Sequence, residues 1–254
     1  YKKTFKISSD LKKNTIFLNF DAVNYLSEVY LNDNALGYHE GGFSPFKFNI
    51  EHILNYDSTN TLILRVVGPI TIQEKVIDGM GQMETPQWRG SYTGGIWQNV
   101  YLESTGKIII EDLFIKPDIY KKQSEIDFKI VNKYTQEKNT ILINKIFNNK
   151  GVEINKQEIK ILLQPGINKI SQIIRLNEIS LWSPNNPSLY KIKSYIKIKD
   201  KTEDIVFENF GFREFTVKDD RFYLNDKPIY LKAAFFEGLY PIKLAHPDSK
   251  EMVI

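Results

Sequence analysis

The chain has 254 residues, enough for two ordinary domains, each with its own core. Its 34 basic and 31 acidic residues leave a net charge of +3, a balance that gives no argument for a nucleic-acid partner or an anionic membrane surface. Cysteine is absent, which excludes disulfides, thiolate metal sites and cysteine nucleophiles, and no apolar run approaches the ~20 residues that span a bilayer.

The pattern predicts strands almost throughout. Ile16, Leu18 and Phe20 alternate with Phe17 and Asn19. Val29 and Leu31 lead into a turn at Asn32-Asp33-Asn34, and Leu62, Leu64 and Val66 alternate again. Glycine then concentrates between Gly79 and Gly95, an irregular stretch, and a boundary is expected near Ser104-Thr105-Gly106. Regularly spaced strands with few glycines follow up to about Glu208, marked by Ile126, Phe128 and Ile130 and by Ile159, Ile161 and Leu163. Lysine alternates with isoleucine at Lys191-Ile192-Lys193 and Lys197-Ile198-Lys199, read as solvated faces of half-buried strands. Asn148-Asn149-Lys150-Gly151 and Gln164-Pro165-Gly166 supply turn residues that tolerate positive φ or fix φ. Period two with turns between the runs argues an antiparallel, all-β protein of sandwich type. The spacing after residue 105 suits an immunoglobulin-like sandwich.

From about Arg213 the texture changes. Phe222-Tyr223-Leu224, a turn at Asn225-Asp226, and Ile229-Tyr230-Leu231 predict a hairpin, followed by a short apolar strand. Asp248, three residues before Glu251, predicts a helix cap, and Met252-Val253-Ile254 opens an apolar run. Strand then helix is how an α/β unit begins, so the sequence is expected to be the front of something larger. It opens on Tyr1 rather than Met, and any signal peptide would lie outside it.

Four segments, in order, carry a family resemblance. Val29-Tyr30-Leu31-Asn32-Asp33 with Gly41-Gly42-Phe43-Ser44-Pro45-Phe46 resembles the strand, turn and "GGYTPF" loop of glycoside hydrolase family 2 (β-galactosidases, β-glucuronidases and β-mannosidases). Gly94-Gly95-Ile96-Trp97-Gln98-Asn99-Val100-Tyr101-Leu102 resembles its "GGIWRDVYL" strand. Leu181-Trp182-Ser183-Pro184-Asn185-Asn186-Pro187-Ser188-Leu189-Tyr190 resembles its "LWSPDNPxLY" signature. Gly211-Phe212-Arg213 with Phe222 to Leu231 resembles its "GFR…FxLNGKPIxLxG" entry to a barrel. The residue types fit locally as well: Gly41-Gly42 permits backbone closed to other residues, Gly94-Gly95 suits a tight strand entry or bulge, and Trp182 and Tyr190 are large enough to close the end of a small sandwich core.

The resemblance implies a jelly-roll sugar-binding-type domain over 1–104, an immunoglobulin-like sandwich over 105–212, and over 213–254 only the start of a catalytic (β/α)8 barrel. It implies a retaining β-glycoside hydrolase, whose two carboxyl groups lie about 5 Å apart. Both are glutamates at the ends of later barrel strands, so neither is expected before Ile254, and the fragment alone is expected to be inactive. A carbohydrate substrate and the protein's own barrel are the implied partners, with a homo-oligomer as a further expectation. No cofactor is implied. His39, His52 and His246 do not cluster with carboxylates at ligand spacing, so no metal site is expected.

The candidate substrate-binding residues are Gln87, Trp88 and Arg89, together with Glu237 and His246. Gln87 to Arg89 lie with Tyr92 in the glycine-rich stretch 78–93, which in the family reaches towards the active site. An aromatic face stacks on sugar and Arg or Gln bonds hydroxyls, while the plainer reading has Trp88 packing between domains. Glu237 and His246 follow the expected first barrel strand, where Phe235 and Phe236 replace polar positions of the family's "GVNRHE" stretch. Of the other carboxylates near the end, Asp219-Asp220 reads as a solvated turn, with Glu214 beside it. A second class of function stays open, a free-standing carbohydrate-binding module with an immunoglobulin-like spacer, although the predicted barrel-entry hairpin serves no purpose there. A third is a purely structural, adhesin-like protein. Richness in Lys, Ile and Asn points to an AT-rich bacterial genome, and a periplasmic or secreted location is expected, with the cytoplasm left open.

Overall fold

The computed structural model describes residues 1–68 and 94–232, and the backbone of 87–88 and 91–92. Among the described residues there is no α-helix, only a 3-10 turn at Ser9–Leu11 between strands. The chain divides into two units between Ser104 and Thr105. The fold is all-β, as the period-two patterning requires.

The first unit contains β1 (Lys2–Lys6), β2 (Thr15–Phe20), β3 (Val23–Asn24), β4 (Leu26–Leu31), β5 (Asn34–Glu40), β6 (Phe46–Asn49), β7 (Thr59–Val67), β8 (Gln87–Trp88), β9 (Ser91–Tyr92), β10 (Gly95–Ile96) and β11 (Val100–Thr105). An antiparallel sheet runs β1-β7-β4-β5, a second runs β11-β2-β6, and β3 and β10 form a small ribbon. Strand β4 alternates as expected, burying Ser27, Val29 and Leu31. Strand β2 departs from the alternation: Asn19 is buried, and half-buried Phe17 lies under the Lys47 ammonium, 4.5 Å from its centroid. As the middle strand of its sheet, β2 has no open edge and is covered on both faces. Ile16, Leu18, Phe20, Val29, Leu31, Ile50 and Leu64 make the core.

The turn after β4 places Asn32 and Asp33 at φ 50° and 64°, the left-handed pair of a two-residue hairpin. Asn32 then works as a knot. Its Oδ1 accepts from the Thr61 amide at 2.9 Å, and its Nδ2 donates to the Ile53 carbonyl and to Asn60 Oδ1, both at 2.8 Å. This amide network fixes one end of the unit and leaves the other end, at the start of β4, for the glycine loops.

The second unit contains β12 (Ile108–Asp118), β13 (Gln123–Asn132), β14 (Lys138–Phe147), β15 (Glu153–Leu163), β16 (Gly166–Arg175), β17 (Tyr190–Ile198), β18 (Lys201–Phe210), β19 (Phe215–Lys218), β20 (Arg221–Leu224) and β21 (Lys227–Pro228). Sheets β12-β13-β16 and β15-β14-β17-β18 enclose a core of Ile108, Ile126, Phe128, Ile130, Leu142, Ile146, Leu163, Ile192, Ile196 and Phe212. Three strands against four is the arrangement of an immunoglobulin-like sandwich. The β12 end is held by carboxylates. Glu203, 3% exposed, accepts from the Lys107 amide at 2.7 Å, and Asp204 accepts from the Ile110 amide at 2.7 Å. Lys201 offsets Glu203 at 3.2 Å. Between the two sheets, buried Asn144 on β14 donates to Gln172 on β16, and Ser194 on β17 donates to Asn144 Oδ1 at 2.6 Å.

Two sequence expectations are corrected here. The ribbon at 213–232 has three strands: β19 and β20 turn at Asp219-Asp220, and β20 and β21 turn at Asn225-Asp226. The strand after the second turn is Lys227–Pro228, and Ile229-Tyr230-Leu231 lie beyond it. A two-residue turn requires the pairing to resume at once, and Pro228 is tolerated because β21 is an edge strand. Trp182 does not close the core. Tyr190 does, with Phe210 and Phe212 at ring distances of 5.6 and 5.3 Å, whereas Trp182 is half-buried at the surface. The expected helix at Asp248 and the strand before it lie outside the described residues.

Candidate functional site

The open end of the first unit is built on glycine and aromatic rings. Gly41 adopts φ +133°, which turns the chain out of β5 into Gly42-Phe43-Ser44, and its amide donates to the Tyr25 carbonyl at 3.3 Å. Trp97 follows β10 and donates its indole N–H to the Gly42 carbonyl at 2.8 Å, while Phe43 meets its ring edge-on at 5.7 Å. The His39 ring stacks on Phe46 at 4.2 Å, and Phe46 on the fully buried Phe20 at 4.7 Å. His39 Nε2 lies 3.2 Å from Ser44 Oγ. Partial burial lowers the imidazole pKa from its ordinary 6.5, against a smaller opposing pull from Glu40.

This end is also the base of the segment running from residue 69 to residue 93. A Cβ on Gly94 would stand 3.0 Å from the Gly68 Cα, so the two ends of the segment touch through backbone. Gly95, at φ +124°, pairs with Asn24, and a Cβ on it would collide with the Tyr1 hydroxyl. Within the segment β8 and β9 pair antiparallel, Gln87 opposite Tyr92 and Trp88 opposite Ser91. Two of the three candidates from this segment therefore sit together on one short ribbon. Arg89, Glu237 and His246 lie outside the described residues. The sequence did not single out Trp97 and Phe43 as partners. The signal was present in two glycine pairs, each followed closely by an aromatic residue.

In the second unit, two of the four sequence signatures meet. The Trp182 amide donates to the Phe212 carbonyl at 2.8 Å, and Leu181 bridges Phe212 in parallel. The Arg213 guanidinium lies 4.8 Å from the centre of the Trp182 ring. Asn225, in the turn between β20 and β21, donates to the Trp182 carbonyl at 2.9 Å and accepts from the Glu214 amide at 3.0 Å. Gly211 passes close enough that a Cβ would press on Trp182 at 3.1 Å. The ribbon is thus bolted to the sandwich by contacts between residues 31 and 43 positions apart in sequence.

Beside this bolt, the Tyr120 hydroxyl bonds Glu214 and, at 2.9 Å, Asp226. The two carboxylates, Glu214 first, raise the phenol pKa far above its ordinary 10. Lys218 pairs Asp226 at 3.5 Å. Glu214 is therefore occupied in fastening the ribbon, and Asp219 and Asp220, at φ 48° and 57°, form an exposed turn.

Residues 1–100 match the family model for the glycosyl hydrolase 2 galactose-binding domain-like region, and residues 108–213 match that of glycosyl hydrolases family 2. A β-galactosidase from Thermoanaerobacterium thermosulfurigenes is 30% identical over 95% of this chain and 33% of its own length. A β-glucuronidase from Formosa agariphila is 25% identical over 91% of this chain and 25% of its own. Among solved structures, a glycosyl hydrolase family 2 member from Bacteroides cellulosilyticus matches with a TM-score of 0.79 at 20% identity, covering 91% of this chain and 31% of that one. A Bacteroides uniformis β-glucuronidase matches with a TM-score of 0.76 at 22% identity, covering 94% and 28%. At those identities the structures speak for the fold. The chain spans a third or less of the length of these relatives. With two family models in sequence over both units, the chain belongs to glycosyl hydrolases family 2.

Proposed function

We propose that this chain is the non-catalytic amino-terminal region of a retaining β-glycoside hydrolase. In this reading residues 1–104 form a jelly-roll domain that frames the active site, 105–212 form an immunoglobulin-like support, and 213–254 begin the catalytic barrel. The carrying observation is the ribbon β19–β21, bolted to the sandwich by Trp182, Arg213 and Asn225. A free-standing binding module has no use for a rigid exit of that kind. A barrel whose strands must be aimed has such a use, because placement errors near 1 Å cost catalysis heavily.

The substrate is a β-glycoside or oligosaccharide. The chemistry itself belongs to two carboxyl groups about 5 Å apart at the ends of later barrel strands, beyond this sequence. The part played here is positional. The glycine-pinched base at Gly68 and Gly94 anchors the segment carrying Gln87, Trp88 and Arg89, which contribute to the sugar site from the jelly-roll side. The reading frame after Ile254 tests this. About 300 further residues of alternating strand and helix, with an Asn-Glu pair after a strand, are expected. A stop codon directly after Ile254 would overturn it.

A further inference from the structure

One cleft plays no part in this reading. On the outer face of the four-stranded sheet, Phe147, Lys191 and Asn209 stand side by side in register, and Lys145, Lys193 and Phe207 form the next row. The alternate positions Tyr190, Ile192 and Phe210 point into the core, so both rows face outward. Together with the β14–β15 turn, Phe147, Lys191, Lys193, Phe207 and Asn209 line a cleft of about 410 Å³, within the range of small-ligand sites, and Lys145 lies beside it.

The lining is chemically mixed. Phe207 is 56% exposed and offers an aromatic surface to the cleft. Lys145 is neutralised by Glu153 at 2.7 Å. Among the described residues, neither Lys191 nor Lys193 has a carboxylate within ion-pair distance. The Lys193 ammonium instead sits 5.5 Å from the Phe207 ring centre and 5.7 Å from that of Tyr195. Glu208, the acid next to Asn209, registers opposite core-facing Ile192 and so belongs to the other side of the strand. Asn149 and Asn209 add amides at the rim.

We propose that this cleft is an accessory binding site for an anionic oligosaccharide. The Phe207 ring takes the apolar face of a pyranose, Lys191 and Lys193 take a carboxylate or sulfate on the sugar, and the amides take hydroxyls. A lysine-studded strand face alone is ordinary solvation. Here two cations without acidic partners line the same cleft as an exposed aromatic ring, and one of them, Lys193, stands beside that ring. The proposal stands independently of the catalytic reading.

Calorimetric titration of the 254-residue chain tests it. The probes are hexagalacturonate, a sulfated hexasaccharide, a neutral hexasaccharide and polyglutamate. Binding of either anionic sugar is expected, and the stronger of the two names the anionic group. Phe207→Ala is expected to weaken it about tenfold with an unchanged melting temperature. Lys191→Gln with Lys193→Gln is expected to weaken it at least as much, and salt should weaken it further. Failure of both anionic sugars to bind at millimolar concentration would overturn the proposal. So would equal binding of the neutral sugar, or polyglutamate binding as well as sugar with no effect of Phe207→Ala.

Discussion

The bolt between ribbon and sandwich can be dissected at one residue. Asn225 makes two side-chain hydrogen bonds, to the Trp182 carbonyl and from the Glu214 amide, and it holds φ 52°. Each such bond contributes about 1 kcal/mol net, and a left-handed φ costs a β-carbon residue other than Asn or Asp about 1 kcal/mol more. Asn225→Gly loses both bonds but is at ease in that conformation, for about 2 kcal/mol. Asn225→Ala loses both and is strained, for about 3 kcal/mol. Asn225→Asp keeps the acceptor for Glu214 and loses the donor to Trp182, for about 1 kcal/mol. Since the two units need not melt together, the assay is amide exchange at Glu214 and Ile229. Ile229 donates to the Phe222 carbonyl across the ribbon at 2.9 Å. Protection is expected to fall roughly 5-fold for Asp, 30-fold for Gly and 150-fold for Ala. Equal protection in all three variants, or a Gly variant worse than Ala, would refute the reasoning.

Other expectations concern the rest of the molecule. Glu203→Ala strands the Lys107 amide at the start of β12, and should cost the second unit about 2 kcal/mol or more, read by denaturant unfolding. Gly95→Ala sets a side chain at φ +124° against Tyr1 and should lower the first unit's melting temperature, while Gly151→Ala, with open space around it, should cost less. Burial lowers the His39 pKa in the fold, so the unfolded chain binds that proton first. Its contribution is therefore complete above about pH 6.5 and is lost as pH falls below it; an NMR titration midpoint at or above 6.5 would contradict this. In a protein that includes the barrel, Trp88→Ala should raise KM or lower kcat, and unchanged kinetics with unchanged melting would remove Trp88 from the sugar site.

Much of the fold was legible because its determinants are local. Period-two burial at Val29 and Leu31 or at Ile126, Phe128 and Ile130 reads directly from the chain, and Asn32-Asp33 and Asn225-Asp226 announce two-residue turns. What was not legible depended on pairs distant in sequence. Nothing near Trp182 says that Arg213 will cover it, so it looked like a core residue. Nothing near Glu203 says that its carboxylate will take the place of a strand partner for β12. The ribbon register slipped for a different reason: apolar Ile229-Tyr230-Leu231 looks more strand-like than Lys227-Pro228, yet turn geometry, not hydrophobicity, decides where pairing resumes. At the candidate site, residue types pointed to sugar chemistry, while the pinching of Gly68 against Gly94 has no counterpart in any local pattern.

The central claim is that these two units frame a glycosidase active site and do not perform its chemistry. Its most direct test is turnover of nitrophenyl β-galactoside and β-glucuronide by the purified 254-residue chain. No release of nitrophenol above the uncatalysed rate is predicted. Saturable turnover, abolished by replacing a carboxylate within residues 1–254, would contradict the account.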